Sequence, residues 1–156
     1  MEIKSIIGTG LYGAAYTAMD YSDQTWYAVK ALGKMGTDEA PLNRRQRNFQ
    51  SREIQLYYKA LTYPNIVSMF KVVDDPVCAY DVLEYCQDGD IFSNITEIGR
   101  YVGNYYLIRA TFLQLFSAVQ HCHKLGIYHR DLNPETIVVD GMQVLLADFS
   151  LATTDA

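Results

Sequence analysis

Gly8, Gly10 and Gly13 fall within one short stretch, Gly8-Thr9-Gly10-Leu11-Tyr12-Gly13. Lacking a Cβ, glycines let a main chain come close to phosphate oxygens and adopt positive φ, so this spacing can cradle an anion. The dinucleotide-binding turn has a similar pattern but must open a helix. Here a β-rich stretch follows and ends at Lys30. A glycine hairpin joining two strands without a ligand is the plainer alternative. Lys30 by itself reads as a solvated strand lysine. Glu53 changes that, because it lies four residues from both Phe49 and Tyr57, inside an apolar helical stripe. Burying a carboxylate alone costs on the order of several kcal/mol or forces its protonation. Lys30 and Glu53 each supply the charge the other needs, and an ion pair between them would hold the ammonium where phosphate can reach it.

A second cluster, Tyr128-His129-Arg130-Asp131-Leu132-Asn133-Pro134-Glu135-Thr136, sits between a long helical pattern and a strand-like run. Loops held by rigid elements are where catalytic groups concentrate. Asp131 can accept a proton from an alcohol, or cap a turn. Asp148, in Ala147-Asp148-Phe149-Ser150, offers a hard oxygen for a magnesium ion that bridges phosphates, or is a strand-end acid facing water. His121-Cys122-His123 has the residue types of a metal site, but i and i+2 positions point to different helix faces, so no site is read there. Arg44, Arg45 and Arg47 read as a solvated helix face, with phosphate binding as the alternative.

The elements that must position these groups follow from pattern. Residues 1–34 read as strands, with Thr25-Trp26-Tyr27-Ala28-Val29-Lys30 rich in β-branched and aromatic residues, until Gly33, Gly36 and Pro41 interrupt. Residues 43–61 take a helical period, with Phe49, Leu56, Tyr57 and Ala60 on one stripe. Two strands are expected near 66–73 and 77–84, around Asp74-Asp75-Pro76. Tyr85-Cys86-Gln87-Asp88-Gly89-Asp90 reads as a linker. Ile108, Phe112, Leu115, Phe116, Val119 and Cys122 then repeat at 3.6 spacing, predicting a helix over 104–125 that Gly126 ends. Strands are expected again at Thr136–Val139 and Gln143–Ala147.

Composition narrows the class. The 156 residues are 49% apolar and 20% charged, enough apolar surface for a packed core and too much for a disordered tail. A net charge of −5 argues against nucleic acid or an anionic membrane as partner, since both need a basic face. No apolar run nears the ~20 residues of a spanning helix. The start, Met1-Glu2-Ile3-Lys4-Ser5, lacks a basic segment followed by an apolar one, so a soluble protein of the cytoplasm or nucleus is expected. Cys78, Cys86 and Cys122 are too few and too scattered for a disulfide framework or a zinc site.

Taken in order, these pieces resemble the eukaryotic protein kinase family, serine/threonine type. The match runs through the glycine turn, Tyr27-Ala28-Val29-Lys30, Glu53, Tyr63-Pro64-Asn65-Ile66, Leu83-Glu84-Tyr85, His129-Arg130-Asp131 and Asp148-Phe149. Phrases such as Gly89-Asp90-Ile91-Phe92 and Gly126-Ile127-Tyr128-His129-Arg130-Asp131 are similar to fungal kinases that negatively regulate sexual conjugation and meiosis. The resemblance implies an α+β fold. An antiparallel N-lobe sheet with one helix would span 1–84, a hinge 85–89, and a mainly helical C-lobe would begin at 90 and stay incomplete at 156.

It also implies ATP and magnesium as cofactors and a protein as substrate. The amides around Gly8–Gly13 would cover the phosphates, and Lys30, fixed by Glu53, would contact the α- and β-phosphates. Ile7, Ala15, Ala28 and Val138 would enclose the adenine, with Leu83 as gatekeeper and the main chain of Glu84 and Cys86 on the adenine edge. Asp131 would take the substrate proton and Asp148 would hold magnesium. Met69, Tyr57, His129 and Phe149 would stack as an apolar column.

Departures from the family pattern are informative. Asn133 stands where a lysine usually reaches the γ-phosphate, and Thr136 where an asparagine usually meets the second magnesium. Ser150 replaces a glycine, and Ala15 a valine over the adenine. A charge-assisted contact contributes about 1.5–3 kcal/mol, so loss of two such contacts would slow transfer by roughly 10² to 10⁴. A whole domain of the family continues well past Asp148-Phe149. This predicts that Phe112 and Phe116 are partly uncovered and favour self-association. Nucleotide binding is expected to survive better than catalysis. A silent nucleotide-binding or scaffolding module and a non-functional fragment are the alternatives.

Overall fold

The computed structural model describes residues 1–10, 13–35 and 44–155. Leu11, Tyr12, Gly36 and Pro41 fall outside them, as do the side chains of Arg44, Arg45 and Phe49. The fold is α+β, in two units: Met1–Arg52 with Ser68–Tyr85, and Glu53–Val67 with Cys86–Ala156.

The first unit is a five-stranded antiparallel sheet in the order β1-β2-β3-β5-β4. Its strands are β1 (Glu2–Gly10), β2 (Gly13–Asp20), β3 (Thr25–Gly33), β4 (Met69–Asp74) and β5 (Cys78–Glu84). Short acidic side chains shape its turns. Asp20 accepts the N–H and hydroxyl of Ser22, and Asp23 accepts the Thr25 N–H, which steers the chain from β2 into β3. Between β4 and β5, Asp75 accepts the N–H groups of Val77 and Cys78, both at 2.7 Å. Those bonds hold the Asp75 carboxyl below its ordinary pKa. Ala18, Val29, Leu32, Ala79 and Val82 are buried along the inner strands.

Helix α1 (Arg44–Ala60) follows the predicted period, with Glu53, Leu56, Tyr57 and Ala60 buried and Arg47 exposed. The second unit takes its last half, α2 (Ile91–Thr96), α3 (Tyr105–Lys124) and the hairpin of β6 (Ile137–Asp140) and β7 (Gln143–Leu146). Residues 53–67 group with this second unit. The reason is local: the Leu146 N–H donates to the Asn65 carbonyl, and the Val67 N–H to that of Leu146. The Asn65 amide also donates to Gln114 and to the Val144 carbonyl, both at 2.8 Å.

Two helix ends show how sequence sets their limits. The Asp90 carboxylate caps α2 by accepting the Ser93 N–H at 2.7 Å. At the end of α3, Gly126 takes φ +69°, its N–H meeting the His123 carbonyl and that of Ile127 the Cys122 carbonyl. These two bonds form the Schellman closure that a left-handed glycine permits. The buried line of α3 is Thr111, Ala118 and Cys122, while Phe112 and Phe116 are 67% and 66% exposed. Among the described residues, no helix is long and apolar enough to cross a membrane.

Candidate functional site

In the first unit, register decides which side chains share a face. Gly8 pairs with Ala15, Ala15 with Lys30, and Lys30 with Asp81. Two residues along, Thr17 pairs with Ala28 and Ala28 with Leu83. Directly opposed residues, and residues two apart on a strand, lie on the same side of a sheet. Ala15, Ala28, Lys30 and Leu83 therefore occupy one face, together with Asp81. That aspartate escaped the sequence reading, although it is a lone acid within Val77-Cys78-Ala79-Tyr80-Asp81-Val82-Leu83 and is only 1% exposed. Ile7 lies at an irregularity of β1, between Ile6 and Gly8, and is about half exposed.

The glycines differ in what they permit. A Cβ on Gly8 would meet nothing within 4 Å, so its side is open. A Cβ on Gly13 would collide with the Ala31 carbonyl oxygen, so β3 requires a glycine there. Gly10 ends β1 opposite Gly13. At the other end of the sheet, Glu84 gives its N–H to the Ser68 carbonyl at 2.9 Å, and its carboxylate accepts the Ser68 N–H. Cys86 is buried, and its carbonyl accepts the Gly89 N–H at 3.3 Å.

In the second unit, the loop 128–136 is braced from within. The His129 ring Nε2 meets the Ala147 carbonyl at 2.8 Å, and its Nδ1 accepts the Asp131 N–H at 3.3 Å. A carbonyl only accepts, so Nε2 carries the proton and the ring is neutral. Burial lowers the His129 pKa, opposed by the Ala147 carbonyl and by the Asp148 and Asp131 carboxylates. Arg130 and Asp148 both hold left-handed backbone, at φ 68° and 56°. Non-glycine residues adopt that region rarely, and such outliers cluster at functional sites.

Asn133 reaches Asp131 directly, its amide donating to Oδ1 at 3.1 Å. Thr136 turns inward: its hydroxyl donates to the Asp131 carbonyl at 2.8 Å and accepts the Asn133 N–H, and the residue is 6% exposed. That hydroxyl braces the loop. Asp148 follows β7, half-buried, with Oδ1 accepting the Ser150 N–H at 3.3 Å. Val138 lies half-buried on β6, bridged to Asp90.

Phe149, fully buried, joins helix and loop. Tyr57 stacks on it at 4.7 Å between centroids, and His129 meets it edge-on at 4.9 Å. Tyr57, His129 and Phe149, expected in one apolar column, thus meet within the second unit; in the first, Met69 is buried on β4. His121 stacks on Tyr63 and His123 lies against Tyr128, so their rings serve different neighbours.

Residues 1–155 match the protein kinase domain. The chain is 50% identical over 157 residues to the negative regulator of sexual conjugation and meiosis of Schizosaccharomyces pombe, covering 99% of this chain and 32% of that protein. It is 38% identical over 200 residues to serine/threonine-protein kinase SKS1 of Saccharomyces cerevisiae, covering 97% and 40%. To CBL-interacting serine/threonine-protein kinase 14 of Arabidopsis thaliana it is 33% identical over 156 residues, covering 99% and 34%. The chain spans about a third to two fifths of the length of these curated relatives.

Proposed function

Because the chain belongs to the protein kinase family, we propose that it binds ATP with magnesium and transfers the γ-phosphoryl group to serine or threonine hydroxyls of a protein, slowly. The observation that carries this reading is the braced loop, in which His129 and Asn133 fix the backbone and carboxylate of Asp131. A carboxylate so held is suited to accept a hydroxyl proton. On the sheet face, Ala15, Ala28 and Leu83 offer apolar surface to adenine beside the Lys30 ammonium, with Ile7 at its edge. The Glu84 carbonyl and the Cys86 N–H address the adenine edge. Gly8, Gly10 and Gly13 bring backbone amides to the phosphates, and the Lys30 ammonium meets them from the same sheet.

Asp148 supplies the hard carboxylate oxygen that fits magnesium. When bound, magnesium neutralises phosphate charge. At the second ligand position Thr136 offers a hydroxyl, a shorter and poorer ligand than an asparagine amide, on a side chain that is nearly enclosed. With neutral Asn133 in place of a cation as well, transfer is expected roughly 10² to 10⁴ below that of a loop bearing both groups. The protein substrate recognised belongs to the same proposal, as does association of copies through Phe112 and Phe116.

Thermal unfolding with and without Mg-ATP tests the binding step. Ligand at about 100 times its Kd adds about 2.7 kcal/mol of stability, a gain that Lys30→Met should remove. Phosphate incorporation into a generic protein substrate, abolished by Asp131→Asn, establishes transfer. A stability gain without incorporation favours the silent nucleotide-binding reading.

A further inference from the structure

Asp81 is buried to 1% exposure on β5 and stands opposite Lys30 in the β3–β5 ladder. The two side chains lie on the face that also carries Ala28 and Leu83. Cross-strand partners hold their Cβ atoms about 4.5–5.5 Å apart, close enough for opposite charges to interact. Aspartate is short and bound to its strand, whereas the lysine stem swings its ammonium through several ångströms. We propose that Asp81 is a positioning residue that competes with nucleotide phosphate for the Lys30 ammonium, tuning how strongly this chain prefers phosphorylated nucleotides over the bare nucleoside. The assignment rests on the nucleotide reading above and deepens it.

The electrostatic consequence has a definite sign. A fixed anion beside the phosphate-binding cation neutralises part of its field and repels the incoming phosphates, and water exclusion strengthens both effects. Removing that charge without changing shape should therefore tighten binding in proportion to phosphate charge. The adenine and ribose carry no charge and should be indifferent. A purely structural role for Asp81 makes the opposite forecast, because damage to the sheet would weaken all adenine ligands together.

The test is a titration of ATP, ADP and adenosine into the wild-type chain and into Asp81→Asn, by calorimetry at fixed salt and magnesium. The expected result is ATP and ADP binding about tenfold tighter in the variant, with adenosine changed by less than about twofold. Equal changes for all three ligands, or weaker ATP binding, overturn the assignment. If Asp81→Asn does not melt cooperatively, Asp81→Leu, apolar and of similar length, takes the same titrations. If the wild-type chain binds none of the three, the nucleotide reading falls. Asp81 is then judged by NMR of a 13C-dimethylated Lys30 amine in the free protein. A titration moved to lower pH by Asp81→Asn supports the pairing, and an unmoved one overturns it.

Discussion

The Asn133 amide donates to Oδ1 of Asp131, while its own carbonyl oxygen accepts the N–H groups of Glu135 and Thr136 at 2.9 and 3.0 Å. The side chain is therefore spent on the loop and presents no positive charge beyond it. Asn133→Lys should raise the initial rate of phosphate incorporation about tenfold or more, as a charge-assisted contact replaces a neutral one. Asn133→Ala should lower it, because the carboxylate then loses its restraint. Radiolabel transfer to a generic substrate measures both, and equal rates across the three proteins would show that the residue does not limit transfer.

A buried neutral imidazole makes stability depend on pH. Burial sets the folded pKa of His129 below the ordinary 6.5, so the unfolded chain binds a proton first as pH falls. The contribution of His129 is complete above about pH 6.5 and is lost progressively as pH falls through the folded pKa. Urea midpoints of the wild-type chain should fall in that window, and His129→Phe should flatten this part of the profile. Identical pH slopes for the two proteins would assign the effect elsewhere.

Phe149 is fully enclosed, and its ring contacts Tyr57 and His129. Phe149→Ala should cost about 3–5 kcal/mol, the usual toll for truncating a buried aromatic. A double-mutant cycle with Tyr57→Ala should return a coupling of about 0.5–1.5 kcal/mol beyond buried area. Additive losses in denaturant titrations would mean that the stacked rings are neighbours without mutual attraction.

Asn94 has no exposed surface, and its amide donates to the carbonyls of Asp88 and Asp90 at 2.7 and 2.8 Å. Arg100 reaches the same Asp88 through its carboxylate at 3.1 Å and keeps that carboxyl below its usual pKa. Asn94→Ala would strand the Asp88 carbonyl, while that of Asp90 keeps the main-chain N–H of residue 94, and should cost about 1–3 kcal/mol. Arg100→Gln, at a more exposed pair, should cost less, about 1 kcal/mol or below. The order of the two thermal midpoints checks this, and a larger loss for the arginine would reverse the assignment.

What the sequence disclosed, and what it hid, follows from how each signal is carried. Helix α3 is legible because its apolar repeat is long; Phe112 and Phe116 are exposed as expected, and the packed side shares Cys122 with that repeat but adds small Thr111 and Ala118. Hydropathy ranks side chains by size and polarity, and close helix packing selects small ones. Helix α2 went unseen because Ile91–Thr96 is too short for a period to register, although Asp90 followed three residues later by Ser93 was its capping signature. Lys30, Asp131 and Asp148 stand out in the sequence by motif order. Asp81 does not, because its place depends on a strand register that no local pattern encodes. The bond of the Thr136 hydroxyl to the Asp131 carbonyl is likewise set by the loop's conformation and not by any local pattern.

The seam between 64–67 and 143–146 sets a timetable for biosynthesis. The Gln143 side chain reaches the Pro64 carbonyl across 79 positions of chain, beside the Asn65–Leu146 and Val67–Leu146 bonds. A ribosome adding about 5–20 residues per second leaves roughly 4 to 16 s between the two edges. Through that interval the Pro64 and Asn65 carbonyls and the Val67 N–H lack their partners, so this seam of the second unit cannot close until the late hairpin emerges.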